Sequence, residues 1–192
     1  MILLLDVMST LVYDPFAVEM PEFLGVSLQE IIERKTPQHW QRFERDEITE
    51  EEFYRDFFLE GPPIDGEGLK RVLFDSYRFL DGIEELLQEL HARGVEMHTL
   101  SNYPVWWKII ESKLALSRYV EWSFVSCKMG VRKPHFDIYR QAVASLDVEP
   151  QECLFVDDRT INCRAAEKVG LHAVKFEDVD SLRASLVEHG VL

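Results

Sequence analysis

Four segments of this 192-residue chain end on side chains able to handle an anion or a cation. The apolar run 2–5 leads into Asp6, the run 95–100 into Ser101-Asn102, and the run 153–156 into Asp157-Asp158, while 123–125 leads through a loop to Lys133-Pro134. Taken singly, each has an ordinary explanation. An aspartate closing an apolar run is often a turn former, Ser-Asn before a proline-started helix is usually a cap, and a lysine before proline is generally a solvated charge. The doublet resists that treatment, because two adjacent carboxylates at such an end repel each other unless a cation or hydrogen-bond donors compensate them. A divalent metal with oxygen ligands meets the need.

These residues meet only if the runs are neighbouring strands. Runs 2–5, 95–100, 123–125, 153–156 and 173–176 read as buried parallel strands, each followed by a segment of helical pattern. Asp81-Gly82-Ile83-Glu84 predicts a helix with an acid at N-cap and another at N3, Leu86, Leu87 and Leu90 on its inner face, and Gly94 at its close. Pro104 and Pro134 predict the first turns of helices over 105–114 and 135–146, and Gly170 ends one over 160–169. This order implies an α/β fold with an open, Rossmann-like parallel sheet, in which ligands bind outside the carboxyl ends of the strands.

Residues 14–78 break the alternation. Leu28, Ile31 and Ile32, then Trp40 and Phe43, then Phe53, Phe57 and Phe58 keep helical spacing, with no convincing strand. The expectation is a core of residues 1–13 and 79–192 with a helical cap, 14–78, inserted after the first strand. Its aromatics suit the core of a small bundle, or the lining of a pocket for a planar ligand. Thr49-Glu50-Glu51-Glu52 reads as a capped helix start.

Composition narrows the partners. Twenty-one basic against 35 acidic residues give a net charge of −14, which works against long-range attraction to nucleic acid or an anionic membrane, so an anionic ligand has to be captured locally. Cys127, Cys153 and Cys163 are odd in number and form no CxxC pair; reduced structural thiols are expected, Cys127 beside Lys128 included. No apolar run approaches the roughly 20 residues of a membrane span, and the N-terminus lacks the flanks of a signal peptide. The expected setting is soluble and intracellular, cytoplasmic, or plastid if a transit peptide has been removed. His98 sits inside a strand pattern and reads as packed, and His39, His91, His135, His172 and His189 show no metal spacing. Dinucleotide-binding and P-loop signatures are missing.

In this order and spacing, Leu4-Leu5-Asp6-Val7-Met8-Ser9-Thr10-Leu11, Thr99-Leu100-Ser101-Asn102, Arg132-Lys133-Pro134 and Leu154-Phe155-Val156-Asp157-Asp158 resemble the four motifs of the haloacid dehalogenase-like (HAD) hydrolase superfamily. Asn162, Ala165-Ala166 and Gly170 extend the last motif. The resemblance covers nearly the whole chain. Segment 14–78 falls where type 1 members insert a helical cap, and Asp46-Glu47-Ile48-Thr49-Glu50-Glu51-Glu52-Phe53 is similar to a stretch common there. It implies a Mg²⁺-dependent phosphatase acting on a small phosphorylated metabolite, with Asp6 as the nucleophile that forms an aspartyl-phosphate, later hydrolysed by water. It further implies a metal held by Asp6, the Met8 backbone carbonyl and Asp158. Ser101, the Asn102 backbone and Lys133 would hold phosphate oxygens, with Asp157 orienting Lys133.

Met8 departs from the pattern. Phosphatases of the superfamily carry a second aspartate there, which protonates the leaving oxygen and later activates water. A thioether does neither, so general acid–base help of about 10²–10⁴ is missing unless another group supplies it. One reading keeps the phosphatase, with slow turnover, an undemanding leaving group, or a substitute acid such as Asp14 or a cap residue. A second is a dehalogenase-type or carbon–phosphorus hydrolase, although dehalogenase-type members need no metal and the acidic doublet and Lys133 favour phosphate. A third is a ligand-binding or regulatory protein with little turnover. Asp6 through Leu11, Asp14-Pro15-Phe16, Ser101-Asn102-Tyr103-Pro104 and Trp106 also resemble the flavin mononucleotide hydrolases of plant and algal plastids. That likeness implies FMN as substrate, its flat ring lying under the cap against aromatics such as Trp40, Phe43 and Tyr54.

Overall fold

A computed structural model describes residues 1–192, and in it the five apolar runs pair into one all-parallel sheet. Strands β1 (Ile2–Leu5), β2 (Met97–Ser101), β3 (Glu121–Val125), β4 (Cys153–Asp157) and β5 (His172–Lys175) lie in the order β3-β2-β1-β4-β5. The chain builds outward from β1 in one direction with β2 and β3 and in the other with β4 and β5. The order therefore reverses at β1, where open α/β sheets bind ligands. Leu5 pairs with Thr99 and with Val156, so β1, β2 and β4 end at nearly the same height. Asp6, Ser101-Asn102 and Asp157-Asp158 are delivered together for that reason.

Side chains alternate between the two faces, as strand geometry requires. Leu3, Leu5, Met97, Leu154 and Val156 join one cluster of 30 buried residues, and Leu4, Leu100, Phe124 and Phe155 join another of 12.

Between β1 and the next sheet-flanking helix the chain forms α1 (Glu19–Leu24), α2 (Leu28–Arg34), α3 (His39–Glu44), α4 (Glu50–Arg55) and α5 (Gly66–Ser76). Two of them start on complete capping boxes, Ser27 with Glu30 and the expected Thr49 with Glu52, and Asp65 caps α5 by accepting from Gly68 N at 3.0 Å. Ile31, Phe43, Phe53, Phe57, Leu69 and Tyr77 from this stretch belong to the same buried cluster as Leu3 and Val7. The helices and that face of the sheet thus share one apolar interior.

Helices α6 (Ile83–Ala92), α7 (Trp107–Leu114), α8 (Ser126–Met129), α9 (Phe136–Leu146), α10 (Thr160–Val169) and α11 (Val179–Glu188) complete the chain. Ile83, Leu86, Leu87 and Leu90 of α6 pack with Leu182 and Leu186 of α11 on one face, while α9 and α10 cover the other. No helix is long and apolar enough to cross a membrane.

Local details differ from the sequence expectations. The N-cap of α6 is Gly82 at φ 75°, not Asp81, and makes no side-chain cap bond; the left-handed backbone there favours glycine, and a Cβ would meet Val179 at 3.1 Å. Strand β2 begins at Met97, because Val95 N bonds back to Leu90 O in the turn that closes α6. Helix α7 begins at Trp107, after a turn in which Trp107 N bonds Pro104 O, and α9 begins at Phe136, with His135 as N-cap accepting from Asp137 N. The Lys133–Pro134 bond is cis. Strand β3 starts two residues earlier than expected, and β5 ends at Lys175, beyond which Phe176 N bonds Asp157 O.

Candidate active site

Lys133 sits at the convergence of the strand ends. Its Nζ lies 2.8 Å from Asp6 Oδ1 and 2.6 Å from Asp157 Oδ2, and the residue is 1% exposed. Asp157, the last residue of β4, is wholly engaged. Besides Lys133 it accepts from Arg159 N at 2.8 Å and from Asn162 Nδ2 at 2.9 and 3.0 Å. The Asn102 side chain ties the β2 end to the same lysine, Oδ1 accepting from Lys133 N at 2.7 Å and Nδ2 donating to Lys133 O at 2.9 Å. The ammonium is held by carboxylates at the ends of β1 and β4, and the Lys133 backbone by Asn102 at the end of β2.

The charges perturb one another. Burial pushes the Asp6 carboxyl up to about 7 against the pull of Lys133, and the charge of Asp157 adds to the rise. For Lys133 burial works to lower the value, yet Asp6 and Asp157 hold the ammonium above its ordinary range. Burial, then the Asp157 charge, raises Asp158. Asp6, Asp157 and Asp158 each bring one oxygen within 4.8 Å of the others. With Asp157 taken up by its three partners, Asp6 and Asp158 are left to face a cation. No backbone donor reaches the Met8 carbonyl, since Ser9 N bonds Val12 O and Val12 N bonds Val7 O around it. Two carboxylates and a free carbonyl are hard oxygen donors that fit Mg²⁺.

A cleft of about 290 Å³ opens over these groups. Its lining combines the polar residues Asp6, Asp14, Asn102, Lys133 and Asp158 with Met8, Phe16, Trp40, Tyr103 and Trp106, and includes Glu44. Asp14 is half-buried, its Oδ1 accepting from Phe16 N at 3.0 Å, and burial raises its carboxyl. Ser101 is fully buried at the end of β2, with its Oγ unpartnered, and the Asn102 N–H has no acceptor either.

A family-model match to the haloacid dehalogenase-like hydrolases spans residues 16–170. The chain belongs to the haloacid dehalogenase-like hydrolase family. Over 190 residues, 99% of this chain and 78% of the relative, it is 45% identical to the chloroplastic flavin mononucleotide hydrolase 1 of Arabidopsis thaliana. It is 26% identical over 165 residues to a sesquiterpene phosphatase of Aspergillus oryzae, with 80% of each chain covered. Among solved structures, a HAD family enzyme of Bacteroides thetaiotaomicron in complex with magnesium and inorganic phosphate shares the fold, with a TM-score of 0.75 at 23% identity over 94% of this chain and 97% of the other.

In this HAD hydrolase the structure brings Asp6, Met8, Asn102, Lys133, Asp157 and Asp158 to one place, with Ser101 buried beside Asn102. Of the aromatics expected at a planar ligand, Trp40 lines the cleft and two do not. Phe43 is 2% exposed and stacks on Phe53 at 4.5 Å, and Tyr54 lies against Trp106 at 6.1 Å with its hydroxyl on Glu50. Both face the interior of the helical layer, as aromatics at helical spacing usually do. Phe16, Tyr103 and Trp106 take their place in the cleft. Sequence reasoning missed Glu44, whose only local signal is its position four residues after Trp40 on α3. His98 is packed as expected, between Ser123 at 2.7 Å and Glu96 at 2.9 Å, and burial raises the Cys127 thiol, which leaves it unactivated.

Proposed function

We propose that this HAD hydrolase is a Mg²⁺-dependent phosphatase of small phosphorylated metabolites, with FMN the preferred substrate and Asp6 the group that accepts the phosphoryl. The observation that carries the reading is the buried Lys133 clamped between Asp6 and Asp157 while Asp158 keeps no cationic partner. Lys133 offsets one of the three carboxylates Asp6, Asp157 and Asp158, and the two negative charges left over call for a divalent cation.

Asp6 Oδ attacks phosphorus and the ester oxygen leaves, dividing a difficult transfer into formation and hydrolysis of an aspartyl-phosphate. Lys133 and the two unpartnered donors, Ser101 Oγ and Asn102 N–H, receive the peripheral phosphate oxygens. Leaving a buried donor unpaired costs about 1–3 kcal/mol, and an incoming oxygen recovers it. Asp157 keeps Lys133 aimed. Asp6, the Met8 carbonyl and Asp158 would hold Mg²⁺, which when bound neutralises phosphate charge and aligns the reacting groups. Segment 14–78 acts as the cap, roofing the cleft through Trp40 and Glu44. In place of an aspartate at Met8, Asp14 is a cleft carboxyl outside the Lys133 and Glu44 ion pairs, and its raised value suits it to deliver a proton to the leaving oxygen. The Arabidopsis relative and the aromatic wall support a flavin phosphate; the dehalogenase-type reading leaves Asp158 unexplained.

The test is phosphate release from FMN and a panel of metabolites, with Mg²⁺ or EDTA, by the wild type and Asp6→Asn. Release that needs Mg²⁺ and is lost in the variant supports the reading. Metal-independent or mutation-insensitive release rejects it, and saturable FMN binding without turnover supports a binding protein instead.

A further inference from the structure

Both oxygens of one buried carboxylate are used to hold two planar groups at the edge of the cleft. Glu44, 4% exposed, accepts from Trp40 Nε1 on Oε1 at 2.7 Å and from Arg132 Nε on Oε2 at 2.7 Å. Trp40 and Glu44 share a face of α3 because they are four residues apart. Arg132 comes from a different part of the chain, 88 positions further on, and directly precedes Lys133. All three residues line the cleft.

The indole is fixed on its other flanks as well. Its centroid lies 6.0 Å from Phe16, 5.7 Å from Phe53, 6.2 Å from Tyr103 and 5.9 Å from Trp106. Arg132 makes its one side-chain hydrogen bond through Nε, so both Nη nitrogens keep their donors, and its side chain is 24% exposed. Glu44 also neutralises the guanidinium, which makes a second phosphate a poor occupant of this end. A neutral acceptor is a good one, because a planar donor fork matches carbonyl oxygens and ring nitrogens along one edge of a flat ring.

We propose that Trp40 and Arg132, positioned by Glu44, form the subsite for the distal part of the substrate: a flat heteroaromatic ring that stacks on the indole and presents carbonyl or ring-nitrogen acceptors to the guanidinium. The proposal rests on the phosphatase reading for the other end of the ligand and deepens it. Glu44 is a positioning residue here, since it acts through the two groups it holds. Sugar and polyol phosphates use neither partner well.

The experiment compares wild type with Trp40→Leu, Arg132→Lys, Glu44→Leu and Glu44→Gln. Two readouts are taken: kcat/KM for FMN against glycerol 2-phosphate, and riboflavin affinity by flavin fluorescence quenching, which needs no turnover. The expected result is at least a tenfold fall in the FMN to glycerol 2-phosphate ratio, carried by KM for FMN, and a riboflavin Kd raised about tenfold in the first three variants. Glu44→Gln, which keeps an acceptor oxygen for one partner, recovers part of both. Arg132→Lys keeps the charge on Glu44 and guards against a variant that fails to fold. Equal losses on both substrates, an unchanged riboflavin Kd, or no riboflavin binding by the wild type overturns the proposal. If the wild type binds riboflavin yet hydrolyses neither ester, the phosphatase reading fails while the riboflavin comparison still decides this one.

Discussion

Asp6 carries a conflict between burial, which penalises its charge, and Lys133, which favours it. Its carboxyl is held at about 7 against an ordinary 3.8, mainly by burial, so the native state favours the protonated form. A raised carboxyl contributes stability that is present below the unfolded value and is lost as pH rises through the folded one. In EDTA, Asp6→Asn should therefore melt at nearly the wild-type temperature at about pH 4 and several degrees above it at about pH 8, with about 2–4 °C for each kcal/mol gained. Circular dichroism melts across that range check it, and a difference independent of pH contradicts it. Met8 sets the second residue-scale prediction. Protonation matters most when the departing oxygen is a strong base, so Met8→Asp should raise turnover of alkyl phosphates more than of aryl phosphates. Asp14→Asn should do the converse, lowering alkyl ester turnover by about 10²-fold and aryl ester turnover far less. Initial rates on both substrate types decide the matter, and equal effects on the two would remove the acid from Asp14.

At the level of elements, α4 is tied to the segment between β2 and α7 by aromatic contacts that converge on Glu50. Trp106 Nε1 and Tyr54 Oη both donate to Glu50 Oε1, and the two rings lie nearly parallel at 20°. Gly66, the first residue of α5, leaves no room for anything larger, because a Cβ there would run into the Tyr54 ring. Gly66→Ala should push Tyr54 off Trp106, cost about 1–3 kcal/mol as overpacked cores do, and alter the tryptophan emission. Wild-type emission together with an unchanged melting temperature would show that the contact gives way at no cost. The element boundaries explain which features could be read from sequence. Thr49 with Glu52 was legible because a capping box is complete within four residues. The start of α6 was misassigned to Asp81 because Gly82 takes φ 75° against Val179, a neighbour from the far end of the chain.

For the molecule as a whole, the net charge of −14 opposes the approach of an anionic substrate, and within the cleft Lys35, Arg132, Lys133 and Arg159 are matched by Asp6, Asp14, Glu44 and Asp158. Added salt shortens the Debye length from about 30 Å at 0.01 M to about 8 Å at 0.15 M and so screens the repulsion before it reaches the cleft groups. At saturating Mg²⁺, kcat/KM for a dianionic ester should rise over that range while kcat stays level. Steady-state kinetics in a non-binding salt measure it, and a steady fall would mean that the local cations dominate the field.

By itself the sequence determined which polar residues lie at the carboxyl ends of the strands, the α/β order, the helical run after β1 and the four ordered motifs. These depend on side-chain period, caps and short spacings, all contained within a few residues. Tertiary structure alone decided that Glu44 meets Arg132, that Trp40 lines the cleft while Phe43 and Tyr54 turn inward, and that Asp157 is saturated by Lys133, Arg159 and Asn162 while its neighbour Asp158 stays free. The reason is physical. The pairings of Glu44 with Arg132 and of Lys133 with Asp157 join segments 88 and 24 residues apart, and strand order with the alternation of side-chain direction sets them, so no local pattern carries their signal.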